Sequence, residues 1–167
     1  MCTFTSRYFG TLDYEPGTDL LTFPRGLAGF EDHHNWILLD GKTGSIKWLQ
    51  NIEDPALALP VTAPDAVKPD YEARISDDDL QAVGVKDWDS DGLVMLVVLT
   101  IPQTAPWDMT ANLRAPILVN ADTRQALQAI TLNETYPVRH PVLSPGARAE
   151  MEGRCRQKWQ AIAAASC

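Results

Sequence analysis

Turn-forming residues punctuate this chain too closely for long helices or long strands. Twelve prolines fall mostly between short apolar runs, and turn signals recur roughly every 8–15 residues. Proline cannot donate to a β-ladder, so it confines strands to short lengths or to edges. Short runs so closely spaced specify a β-sandwich or a barrel. The runs are Thr3–Phe9, Leu20–Phe23, Trp36–Leu39, Ile46–Gln50, Ala58–Thr62, Tyr71–Ile75, Leu93–Ile101, Pro116–Asn120 and Leu127–Leu132. Gly41-Lys42-Thr43-Gly44 reads as a hairpin loop between two of them. Leu93–Leu99 is unbroken and rich in Val and Leu, the pattern of a central strand buried on both faces.

Two helices interrupt the strand pattern. Ser76 can cap a short one over Asp77–Val83, with three aspartates in its first turn and Gly84 after its end. A second begins at Ser144 with Pro145 in its first turn. Ala147, Met151, Cys155, Trp159 and Ile162 form one apolar stripe along it, with Arg148, Arg154, Arg156 and Lys158 on other faces. Such a stripe is expected to pack. Residues 1–143 thus form one β domain, and residues 144–167 a helical extension. The whole, 167 residues, is long enough for a single core without covalent staples.

Charge is unevenly placed. The net charge is −8. Residues 53–91 hold 11 acids against 3 bases, whereas residues 139–167 hold 2 acids and 5 bases. An acidic segment repels phosphate backbones and attracts basic partners, so direct nucleic-acid binding is not expected. Cys2, Cys155 and Cys167 are odd in number and lack regular spacing, which fits a reducing cytoplasmic setting. The N-terminal residues carry no apolar leader pattern, and Leu93–Ile101 is too short for a membrane span.

Motifs for chemistry are incomplete. Asp87-Trp88-Asp89-Ser90-Asp91-Gly92 copies the start of an EF-hand loop, but Val98 stands where its bidentate Glu is needed. Gly41-Lys42-Thr43 copies the end of a phosphate loop, but Trp36 replaces its first glycine. His33 and His34 are adjacent and would point to opposite faces of a strand. No nucleophile motif is present. Neither an enzyme, a metal nor a cofactor is expected. Asn133-Glu134-Thr135 matches a glycosylation sequon by chance.

Other segments are unusual. Phe23-Pro24-Arg25-Gly26-Leu27-Ala28-Gly29-Phe30 packs two aromatics, a proline and two glycines into one loop. It is followed by Leu49, Gln50, Glu53, Asp54 and Leu57, then Pro69-Asp70-Tyr71, then Thr110-Ala111-Asn112-Leu113-Arg114-Ala115-Pro116-Ile117 running to Asn120, then Gln128, Tyr136, Arg139 and His140. In this order and spacing they resemble the FliW family over about residues 3–143. Leu59 and Pro60 depart from the family pattern, and the helix after Ser144 extends beyond it.

The resemblance implies a compact antiparallel β-barrel-like domain; with the two helices read from the residues themselves, the chain is expected to be mostly β, with one short helix and a C-terminal helix. It also implies a binding protein that switches partners between flagellin and the RNA-binding translational repressor CsrA, relieving repression of flagellin messenger RNA. No membrane and no nucleic acid are expected as direct partners. Candidate partner-binding residues are Phe23, Phe30, Trp107 and Leu113, as apolar contacts for an amphipathic helix, with Asn112 beside them. Asp77, Asp78, Asp79, Asp87, Asp89 and Asp91 are candidates for repelling RNA from a docked repressor. Two alternatives remain open at this point: a flavin-binding enzyme on a small barrel, and a chaperone that binds flagellin alone.

Overall fold

In the computed structural model of the chain, residues 1–42, 44–87 and 91–165 are described. Thr43 of the hairpin loop, Trp88, Asp89 and Ser90 of the EF-hand-like run, and Cys167 lie outside that set.

The chain begins with an antiparallel hairpin, β1 (Cys2–Ser6) and β2 (Gly10–Tyr14). A single strand was expected over Thr3–Phe9. The Ser6 hydroxyl breaks it by accepting from the backbone N–H groups of Tyr8 and Phe9 at 3.1 and 3.2 Å, which turns the chain. The main sheet contains β3 (Leu20–Thr22), β4 (Asn35–Asp40), β5 (Lys47–Asn51), β6 (Ala58–Thr62), β7 (Leu93–Thr100), β8 (Thr110–Ala111), β9 (Ile117–Asn120), β10 (Ala126–Gln128) and β11 (His140–Pro141). Its order is β10-β9-β7-β6-β5-β4-β3, with β8 between β7 and β11. The ladder pairs are antiparallel. Among the described residues, β3 meets the segment just before β10 at one isolated parallel bridge, Thr22 to Gln125. The sheet therefore curls into a barrel-like form without closing through a full ladder.

Period-2 alternation distributes the core. Leu21, Phe23, Trp36, Leu49, Val61, Leu96, Ile117 and Val119 fill the interior of the curled sheet. Leu118 and Leu127 point the other way, against Ile75, Leu80 and Val83 of the short-helix segment. Val97 and Leu99 meet Ala111 and Leu113 in a third cluster. The middle of β7 is thus buried on both faces, as its unbroken apolar run implied, although Val94 near its start is exposed. Burying an apolar side chain of this size contributes roughly 1.5–3 kcal/mol.

The short helix α2 (Asp77–Ala82) follows a single turn, α1 (Pro64–Val67). The Ser76 hydroxyl accepts from Asp79 N–H at 3.2 Å, and Gly84 at φ +77° ends the segment. The C-terminal helix α3 (Pro145–Ala165) is capped by the Ser144 hydroxyl, which accepts from Ala147 N–H. It packs against a 3-10 turn over Pro106–Asp108. Arg148 pairs with Asp108 at 2.6 Å, Trp159 lies 5.8 Å from Trp107, and the Arg156 guanidinium sits 5.2 Å over the Trp107 ring. The stripe expected to pack does so in part: Met151 and Cys155 are half-buried, whereas Trp159 and Ile162 remain exposed.

Tyr71–Ile75, expected as a strand, forms none. Ala73 and Ile75 are buried between exposed Glu72 and Arg74, so the alternation is real. Backbone donors here go to side chains instead of a ladder: Glu72 N–H to the Tyr136 hydroxyl and Arg74 N–H to Asn133 Oδ1. Leu127–Leu132 is a strand only as far as Gln128. Ala129 N–H still donates to Pro116 O, but Pro116 has no N–H to return. Among the described residues, no helix is long and apolar enough to cross a membrane.

Candidate interaction surface

The Phe23–Phe30 loop plugs one end of the curled sheet. Phe23 and Leu27 are buried inside it, and Phe30 is half-buried against the same core. Gly26 makes the turn possible. Its φ is +67°, and a Cβ there would lie 2.6 Å from Glu31 Cα and from the carbonyl oxygens of Phe30 and Glu31. Two side chains from distant segments fix the loop. Gln128 accepts from Ala28 N–H at 2.9 Å and donates to Ala115 O at 3.2 Å. Glu53 Oε1 accepts from His34 N–H and Asn35 N–H at 2.9 and 2.7 Å. Partial burial pushes the Glu53 carboxyl upward, but the backbone donors of Asn35 and His34 outweigh it and hold it below the usual carboxylate range. Gln50, fully buried, accepts from the Ser6 hydroxyl at 2.6 Å and donates to the carbonyls of Asn51 and Leu57 at 2.8 and 3.1 Å.

The Thr110–Asn120 segment is locked in the same manner. Asn112 Oδ1 accepts from Arg114 N–H and Ala115 N–H, both at 3.1 Å, forming a tight turn. Leu113 is fully buried. Its N–H donates to Pro137 O, and its carbonyl accepts from the Tyr71 hydroxyl at 2.7 Å. Tyr71 and Tyr136 stack at 4.8 Å. Burial raises the Tyr71 phenol well above its usual range, and Tyr136 adds to this. Tyr71 is therefore a neutral hydrogen-bond donor at physiological pH.

This network presents an apolar patch. Thr131 N–H donates to Arg114 O, while Leu113 N–H donates to Pro137 O, which places the 130–132 and 137–138 segments beside one short stretch. Ala129 and Thr131 are buried, and the alternate residues Ile130 and Leu132 are 66% and 60% exposed. Val138 is 57% exposed. Three large exposed apolar side chains thus lie within nine positions, on segments that these backbone bonds bring together. The patch adjoins the acidic helix through the backbone: Leu132 N–H donates to Arg74 O, three residues before Asp77.

The sequence candidates are divided by this arrangement. Phe23, Leu113 and Trp107 are core side chains, so their burial places them out of a partner's reach. Trp107 lies elsewhere, beneath α3. Phe30 offers only part of its ring, and Asn112 locks a turn. No exposed groove forms from these residues because they face inward. Asp77 and Asp78 are exposed on α2, and Asp79 is half-buried and pairs with Arg25 of the plug loop at 3.7 Å. Asp87 and Asp91 are exposed, and Asp89 lies outside the described residues. The apolar residues that do face outward, Ile130, Leu132 and Val138, were not singled out from sequence. Ile130 and Leu132 fell within the candidate strand Leu127–Leu132, whose pattern does not say which face is covered, and Val138 lay in no candidate element. Among the described residues, no group of three or more His, Cys, Asp or Glu is placed to hold a metal.

Comparisons with known proteins agree on one family. A family model described as "FliW protein" matches residues 3–143. The flagellar assembly factor FliW of Thermoanaerobacter pseudethanolicus is 36% identical over 140 residues, covering 83% of this chain and 91% of that protein. The protein of the same name from Pseudothermotoga lettingae is 40% identical over 124 residues, 74% of this chain and 78% of the other. That from Bdellovibrio bacteriovorus is 37% identical over 145 residues, 86% and 80% of the two chains. A crystal structure of a flagellar assembly factor FliW superposes with a TM-score of 0.76 at 27% identity, covering 86% of this chain and 98% of that one.

Proposed function

This chain belongs to the FliW family, and we propose that it is a flagellar assembly factor acting by partner exchange between flagellin and a CsrA-type RNA-binding repressor. The reading is supported by the names of its relatives and by one physical arrangement: an exposed apolar patch, Ile130, Leu132 and Val138, beside an acidic helix. An amphipathic helix of flagellin could lay its apolar face on such a patch. The aspartates of α2 act differently. A repressor docked beside them would hold its RNA-binding surface near fixed negative charge and lose affinity for RNA. Exposed charges act over about 8 Å at physiological salt, so the effect is local and salt-sensitive. Coupling of ~1–3 kcal/mol, roughly 5- to 150-fold in affinity, is sufficient for regulation.

The test is calorimetry and competition with flagellin and the repressor of the same organism, at two salt concentrations. Micromolar binding of either, with one displacing the other, is expected. Asp77→Asn, Asp78→Asn and Asp79→Asn together should leave repressor binding in place and abolish RNA displacement. Retained displacement by this triple variant removes the electrostatic account. Binding of flagellin alone reduces the function to that of a flagellin chaperone.

A further inference from the structure

The end of the curled sheet opposite the plug is open, and a pocket of about 390 Å³ occupies it. Its walls are the inward-facing side chains Leu21, Leu38, Val94, Leu96 and Val119, from β3, β4, β7 and β9. Leu38 and Val94 are 37% and 41% exposed, whereas the other three are buried. This volume is within the usual range for small-molecule sites, which favour the mouths of β-barrels.

One residue at the rim departs from local rules. Arg124 lines the pocket and is the only non-glycine residue with positive φ among those described, at 64°. Glycine or asparagine is the ordinary choice there, and an arginine carries backbone strain. The conformation is held from both sides: Arg124 N–H donates to Asn120 O at 2.7 Å, and its carbonyl accepts from Thr22 N–H at 3.0 Å at the seam between β3 and β10. The guanidinium has no ion pair or hydrogen bond among the described residues. The two acids at the same rim are engaged. Asp13 Oδ1 accepts from the Thr3 hydroxyl at 3.0 Å, and Asp19 Oδ2 accepts from Glu15 N–H at 2.7 Å. Arg124 is thus the rim charge left without a partner, above an aliphatic floor.

We propose that this mouth binds an aliphatic monocarboxylate, with the carboxylate on the Arg124 guanidinium and the chain against Leu38, Val94 and Val119. The fork of guanidinium donors matches a carboxylate, and an apolar tail covers side chains that are otherwise half-wet. The site is independent of the partner patch, which lies at the plugged end of the sheet.

The experiment is a titration of the full chain with decanoate, read by methyl chemical shifts of Leu38, Val94 and Val119, beside parallel titrations with decanol and with a short peptide ending in leucine. Saturable shifts with decanoate are expected, at least about tenfold tighter than with decanol. The variant Arg124→Gly removes the guanidinium while relieving the left-handed backbone, so it stays folded. It should weaken decanoate by at least about tenfold and leave decanol unchanged. Arg124→Lys should retain part of the affinity. No saturable shift, equal binding of decanol, or undiminished binding by Arg124→Gly each overturns the proposal. A peptide that shifts these methyls where decanoate does not also overturns it, in favour of a protein C-terminus.

Discussion

At the scale of single residues, the family motifs do architectural work through backbone hydrogen bonds. Gly26 is the sharpest case, because left-handed φ and backbone contact coincide there. Gly26→Ala is expected to cost at least about 2 kcal/mol, a drop of roughly 4–8 °C in thermal midpoint for a chain of this size. Glu53 gives a pH-dependent counterpart. Its carboxyl is held below the ordinary 4.5 by the Asn35 and His34 donors. A depressed carboxyl pKa contributes stability that is fully present above the unfolded value and is lost as pH falls through the folded one. Glu53→Gln should therefore be less stable than the parent at pH 7. Solvent screening keeps the difference below about 1 kcal/mol. The two melting curves should converge once the pH falls below the folded value. A difference that persists at acid pH would assign the loss to packing.

At the scale of elements, α3 is attached to the rest of the molecule around the 3-10 turn over Pro106–Asp108. Among the described residues, its contacts include one ion pair, one ring pair and one cation–π contact around Trp107, together with half-buried Met151 and Cys155. Surface ion pairs and exposed cation–π contacts contribute up to about 1 kcal/mol each. Truncation after Leu143 should leave the sheet folded and cost about 2 kcal/mol. It should also shift tryptophan emission to the red, because Trp107 loses its cover. Loss of cooperative unfolding on truncation would show instead that α3 is integral to the core. Among the described residues, the ion pair that α3 makes outside itself goes to Asp108 of the 3-10 turn. The edge segment after β10 is the other element of note. Ile130→Asp with Leu132→Asp should change stability by less than about 0.5 kcal/mol, since both side chains are exposed. The same pair of changes should remove flagellin binding if the proposed patch is the docking face. Full binding by a folded double variant would move the docking face elsewhere.

For the molecule as a whole, local signals and long-range placement had different carriers. Strand content, the Ser76 and Ser144 caps, the Gly84 stop and the segregation of acid into residues 53–91 were legible in the chain, because turn chemistry, capping and charge depend on neighbours in sequence. The ordered motifs were legible as well, and they carried the family. The placement of side chains was not. Period-2 alternation shows that one face of a strand must be covered but not which face, or by what. Phe23, Trp107 and Leu113 were apolar candidates for a partner, and the tertiary structure buries all three. Tyr71–Ile75 alternates as a strand does, but the Tyr136 hydroxyl and the Asn133 side chain take the donors that a ladder would need. Gln128 reaches Ala28 across 100 residues of sequence, a contact that no local window contains. The sequence by itself determined short strands, capped helices, an acidic middle and a family. Only the tertiary structure decided that Ile130, Leu132 and Val138 face outward and that Arg124 stands alone over an open mouth, because exposure depends on which distant segment lies across each side chain.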